Sequence, residues 1–220
     1  MMKRALIAIL LLAALAGLAQ AGIMAQYWAR SLVSGITATG GVMSNIVGYT
    51  CHIFTNSGTF AVASGSGNAS LLIVAAGGGT PLAGNGVGGG GGGGVTSVAT
   101  YAISPGSYTV TVGLGYSAAN GSNSVFAGIT AIGGGFGGNY NQAGSTGGSG
   151  GGAGRQDLQS RNGGTGVAGQ GYAGGNATNS SGYCSAGGGG ARDKPGMAAE
   201  LMLSNTILGL LVVVGLAWYR

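Results

Sequence analysis

Few side chains in this sequence can do chemistry. His52 is the sole histidine and stands beside Cys51, the residue types that a base-activated thiol nucleophile uses. Neighbours on a strand point to opposite faces, so the two cannot readily share a proton, and His52 reads as a satisfied strand residue. The acids number three, Asp157, Asp193 and Glu200, too few and too scattered for a metal cage or a pair of catalytic carboxylates. Gly84, Gly86 and Gly89 fit G-x-G-x-x-G after an apolar run, but no amphipathic helix follows, as a dinucleotide site requires. Local glycine content alone produces such a match, and no phosphate-loop motif is present. The expectation is a protein that is not an enzyme and uses no cofactor and no metal.

Charge points the same way. The formal net charge is +5, yet from Ser31 to Ala191 the only ionised side chains are Arg155, Asp157 and Arg161. No basic stripe exists to neutralise phosphates, which argues against nucleic-acid binding.

The elements that position these residues begin with an apolar leader. Lys3 and Arg4 precede the run Ala5 to Gly17, and Ala19-Gln20-Ala21 supplies a small-x-small cleavage signal. Residues 1–21 therefore read as a signal peptide or an N-terminal membrane helix, and 22–46 as a connector. At the other end 192–200 reads as a linker. Leu201 to Tyr219 is then a charge-free run long enough, at about 1.5 Å per residue, for a transmembrane helix. The expectation is an exported, membrane-anchored chain.

Between these segments, 47–191 reads as one folded domain. Short β-prone runs, Val47 to Phe54 and Thr59 to Ala63, flank Asn56-Ser57-Gly58, a hairpin turn signal. Leu71 to Ala75, Val95 to Ile103, the alternating Ser107 to Val112, and Val125 to Ile132 complete six strands, as expected of a small antiparallel sandwich or barrel. Gly occupies 53 positions, about three times the usual ~7%, without the Pro and strict period of collagen. Seven consecutive Gly, Gly88 to Gly94, suit neither helix nor strand. An extended three-fold helix suits them better, its amides bonded to neighbouring chains. Rows such as Gly144-Gly147-Gly150, Gly148-Gly151-Gly154 and Gly163-Gly166-Gly169 carry the matching three-residue spacing. Cys51 and Cys184 flank the region. They are either a candidate disulfide, worth on the order of 5 kcal/mol over so long a loop, or two unpaired thiols.

Several motifs occur in a familiar order: Tyr49-Thr-Cys-His-Ile-Phe-Thr-Asn-Ser-Gly-Thr-Phe60, Leu71-Leu-Ile-Val-Ala-Ala-Gly77, the polyglycine run, Pro105-Gly-Ser-Tyr-Thr-Val-Thr-Val-Gly113, Asn120-Gly-Ser-Asn-Ser-Val-Phe126 and Ile129-Thr-Ala-Ile-Gly-Gly-Gly135. Over about 49–190 this resembles the glycine-rich domain of bacteriophage tail-fibre and virion surface proteins. It is also similar to the glycine-rich extracellular domain of the anaplastic lymphoma kinase receptor group. The resemblance implies a mainly β fold: a small antiparallel β-sandwich fused to a polyglycine II helix bundle, here flanked by N- and C-terminal apolar helices. It further implies that loops at the bundle tip contact a host-cell surface receptor or another virion protein, and that homo-oligomers form. Carried onto this chain, the candidate binding residues lie in the inserts between glycine runs: Asn139, Tyr140, Asn141, Gln142, Arg155, Asp157, Arg161, Tyr172 and Tyr183. A purely structural, membrane-anchored spacer or coat protein is the alternative.

Overall fold

The computed structural model describes residues 35–46, 49–82, 84–178, 184–191 and 209–214. Two five-stranded sheets face each other. The first has the order β1 (Thr37–Thr39), β4 (Gly58–Ser64), β7 (Gly106–Thr111), β8 (Ser124–Phe126) and β9 (Ile129–Ala131), all antiparallel. The second has the order β2 (Val42–Ile46), β3 (Tyr49–Phe54), β12 (Gly209–Val214), β5 (Gly67–Val74) and β6 (Val95–Ile103). A two-stranded ribbon of β10 (Gly154–Arg155) and β11 (Cys184–Ser185) lies within the glycine-rich part.

The antiparallel sandwich matches the expected β architecture, but several connections differ. Asn56-Ser57-Gly58 does not close a hairpin, because β3 and β4 belong to opposite sheets. The turn is an arch, which brings Phe54 and Phe60 together edge to face with ring centroids 6.4 Å apart. The run from Val125 to Ile132 is not one strand. It folds back as the hairpin β8–β9 at Ala127 and Gly128, whose φ angles of 50° and 81° make the tight two-residue turn. The sandwich also starts before residue 47, since β1 and β2 lie in the expected connector.

Period-two patterning builds the core. Ala69, Leu71 and Ile73 of β5 and Val110 of β7 are buried on alternate positions. Phe60 is fully buried at the hub, with ring centroids 5.0 Å from His52, 5.9 Å from Phe126 and 6.2 Å from Tyr108.

The flanking helices are a correction. Gly209–Val214, inside the expected transmembrane helix 201–219, is a strand running parallel to β3 and β5. The segment is rich in β-branched Val, and the ladder edges of β3 and β5 on its two sides supply hydrogen bonds that outweigh helix formation. Among the described residues there is no α-helix, and no helix is long and apolar enough to cross a membrane. The leader 1–21 and the linker 192–200 lie outside the described residues.

The glycine-rich part has no sheet of its own beyond the small ribbon, and its backbone bonds follow a period of three. The amides of Gly88, Gly91 and Gly94 donate to the carbonyls of Gly138, Gly135 and Ile132, each at 2.8 Å. Those of Gly89 and Gly92 turn to a different segment, Ala186 at 2.9 Å and Gly189 at 3.0 Å. A third segment returns bonds from Ser149 and Gly152 to Gly92 and Gly89. The Gly78 and Ala75 amides add bonds to the Gly91 and Gly94 carbonyls, so one run bonds to four neighbouring segments, with successive residues turning to different ones as three residues per turn require. At Gly91 the neighbours are so close that a Cβ would overlap the Ser149 carbonyl oxygen.

Candidate functional site

The runs that leave the sandwich at Val74 and re-enter it at Val95 define the near end of the glycine module. The far end gathers residues 84–86, 139–142 and 154–161. Asn139 starts a turn: its side-chain oxygen takes the Tyr140 amide at 2.9 Å and its carbonyl takes the Gln142 amide at 2.7 Å. Asn141 follows with φ of 55°, a left-handed conformation that Asn tolerates better than most residues.

Asn141 organises this end. Its side-chain oxygen accepts the backbone amides of Gln156 at 2.7 Å and Asp157 at 2.9 Å, and its carbonyl accepts Arg161 Nε at 2.7 Å. Arg161 Nη2 pairs with Asp157 Oδ2 at 2.9 Å. Gln156 Nε2 reaches the Asn85 carbonyl at 2.9 Å, and the Arg155 amide reaches that of Gly86 at 2.6 Å. Arg161 and Ala177 exchange both backbone bonds at 2.9 Å, adding a fourth segment. The loops from separate glycine runs therefore form one fixed rim.

The candidate residues divide accordingly. Asn139, Tyr140, Asn141, Gln142, Asp157 and Arg161 come together at the tip. Arg155 does not face solvent: it is fully buried, in β10 opposite Cys184. Its guanidinium belongs to the interior of the module and not to a contact surface. Tyr172 is exposed but lies on another stretch, its amide bonded to Gly190 and its carbonyl to the Gly150 amide. Tyr183 lies outside the described residues.

Two exposed apolar residues in or beside the tip segments are missing from the expected set. Leu158, in the 154–161 loop, is 67% exposed, and Leu82, two residues before the 84–86 segment, is 78% exposed; Tyr140 is 42% exposed. Their signal was available: both are large apolar residues in short inserts between glycine runs, where a solvated turn has no use for them.

Cys51 and His52 lie in β3 of the sandwich, apart from the tip. Cys51 is a free, buried thiol in β3, so the bridge to Cys184 is not made in this structure. Burial pushes the Cys51 thiol above its ordinary range. His52 is also buried, and Nδ1 donates to the Gly40 carbonyl at 2.7 Å. The amides of Gly88 and Gly89, which a phosphate cradle would need, already bond to Gly138 and Ala186. Among the described residues no three His, Cys, Asp or Glu side chains converge.

A family described as a glycine-rich domain matches residues 55–205. The chain belongs to that family. The match takes in β4 to β11, the polyglycine run and the rim around Asn141, so it covers the glycine module and part of the sandwich, with β1 to β3 and β12 outside it. No curated protein and no solved structure matches the chain.

Proposed function

We propose that this glycine-rich domain is a non-enzymatic surface module of a phage or virion, exported by its leader, whose tip contacts a host-cell receptor or another virion protein. The observation that carries this reading is the rim around Asn141. Four backbone segments are pinned there at 2.6–2.9 Å, and Tyr140 and Leu158 stand in solvent upon it. Exposed aromatic and apolar groups on a preordered frame suit recognition, because little conformational entropy is lost on contact. The motif order over 49–190, similar to that of tail-fibre glycine-rich domains, supports the virion assignment.

The second reading is an exported structural spacer with no ligand. It is favoured by the mutual pairing of Asp157 and Arg161 and by the burial of Arg155, which leave the tip little net charge to offer a partner.

The test is binding of the labelled full chain to candidate host cells beside a Tyr140→Ser/Leu158→Ser variant. Saturable binding that the variant loses supports the adhesin. No binding by folded protein moves the assignment to the spacer.

A further inference from the structure

The second sheet is antiparallel at its margins and parallel only at its centre, where β12 separates β3 from β5. Leu211 is registered with Cys51 on one side and Ser70 on the other, and Val212 with His52 and Leu71. The flanking strands carry core residues: Cys51, His52 and Phe54 on β3, and Leu71 and Ile73 on β5. Removing β12 would thus open two ladder edges inside the sheet and not at its rim.

β12 is also far in sequence from both strands it pairs with, β3 and β5. Seventeen residues, 192–208, separate it from Ala191. β5 runs toward the glycine module, so β12, parallel to it, enters from the opposite end of the sandwich. The eight residues of β5 span about 26 Å of sheet at ~3.3 Å each, whereas the connecting stretch reaches up to about 56 Å when extended. That reach is ample for the strand's own slot and for the slot of an adjacent molecule. Nothing in the ladder distinguishes the two sources. The six residues Gly-Leu-Leu-Val-Val-Val carry no charge, and backbone bonds to β3 and β5 are the same from either chain.

We propose that the groove between β3 and β5 is a donor-strand site, filled by residues 209–214 of a second copy of this chain when copies fold together. Each copy offers one donor strand and one acceptor groove. One-way exchange links copies head to tail, whereas reciprocal exchange closes a dimer. The site is separate from the tip, so it stands or falls independently of any receptor.

The register supplies the test. Neighbouring strands lie about 4.8 Å apart and position 211 is the register partner of Cys51, so cysteines at the two positions have a Cα separation within disulfide range. Full chains carrying Cys184→Ser are used throughout. One copy retains Cys51; the other carries Cys51→Ser and Leu211→Cys. The two are unfolded, mixed in equal amounts, refolded and oxidised. The expected result is a disulfide-linked species of twice the chain mass that reduction abolishes. A third copy, holding both Cys51 and Leu211→Cys, reports closure within one chain. Internal closure there, with no link between the mixed copies, overturns the exchange. No link in either arrangement overturns the register itself.

Discussion

Arg161 Nε donates to the backbone carbonyl of Asn141 across 2.7 Å, joining two loops that lie twenty residues apart. The same Asn141 accepts two further amides, from Gln156 and Asp157, through its side chain. One short polar residue thus supports the whole rim. Asn141→Ala removes the acceptor for both amides, a loss of about 1–3 kcal/mol, and adds about 1–2 kcal/mol for Ala at φ of 55°. Asn141→Gly relieves only the second part. Urea unfolding of the two variants should therefore rank Gly above Ala, both below the parent; equal stability of all three would remove Asn141 from its organising place.

The glycine module replaces side-chain packing with backbone contact, so its tolerance to a methyl group must vary sharply with position. At Gly91 a Cβ would overlap the Ser149 carbonyl oxygen, and at Gly187 it meets nothing within 4 Å. Gly91→Ala is expected to lower stability by about 1–3 kcal/mol or more, as overpacking does. Gly187→Ala should stay within about 0.5 kcal/mol. Thermal melts of the pair decide the matter, and a Gly91→Ala protein as stable as Gly187→Ala would contradict the close approach.

Parts of this architecture are legible in the sequence. The alternation Tyr108-Val110-Val112 is realised in β7, which ends at Thr111, and just beyond it, with Val110 and Val112 buried. Other parts are hidden because their cause is non-local. Ala127 carries no turn signature, yet it turns because β8 and β9 pair. Gly209–Val214 reads by hydropathy as part of a membrane span, and only the open edges of β3 and β5 make it a strand. At the tip, Asn139 to Gln142 are recognisable as an insert, but the capping of Gln156 and Asp157 by Asn141 depends on two loops meeting. Arg155 misleads for a simple reason: a lone charge reads as surface, and here the fold encloses it.

Cys51 gives the domain an alkaline limit. Burial holds its thiol above the ordinary value of 9.0. Below that value the thiol keeps its proton in both folded and unfolded chains, and it contributes no pH dependence. Above it the unfolded chain releases the proton while the folded chain retains it. The unfolded state then binds fewer protons, and stability falls as pH rises. Urea midpoints of the parent should drop more between pH 7 and pH 10 than those of Cys51→Ala. Identical drops would mean that the thiol ionises as easily inside the sheet as in water.

Gln170 joins the two halves of the domain. Its Oε1 accepts the Ile132 amide at 2.8 Å, its Nε2 donates to the Thr130 carbonyl at 3.0 Å, and its own carbonyl accepts the Val95 amide at 3.1 Å. Thr130 lies in β9 and Val95 opens β6, edge strands of the two sheets. One residue of the glycine module therefore holds both sheets where the chain crosses between them. Gln170→Ala strands the Ile132 amide and the Thr130 carbonyl in a part-buried setting, at about 1–3 kcal/mol for each group left without a partner. The loss should be local before it is global. Hydrogen exchange at Ile132 should accelerate strongly, whereas the Gly135 amide, bonded to Ser149 at 2.8 Å deeper in the module, should change little. Gln159→Ala, whose side chain makes only a 3.4 Å contact with Arg161, serves as the control and should stay within about 0.5 kcal/mol. Acceleration spread evenly over both amides would mean that sandwich and module open as one unit, with no distinct joint at Gln170.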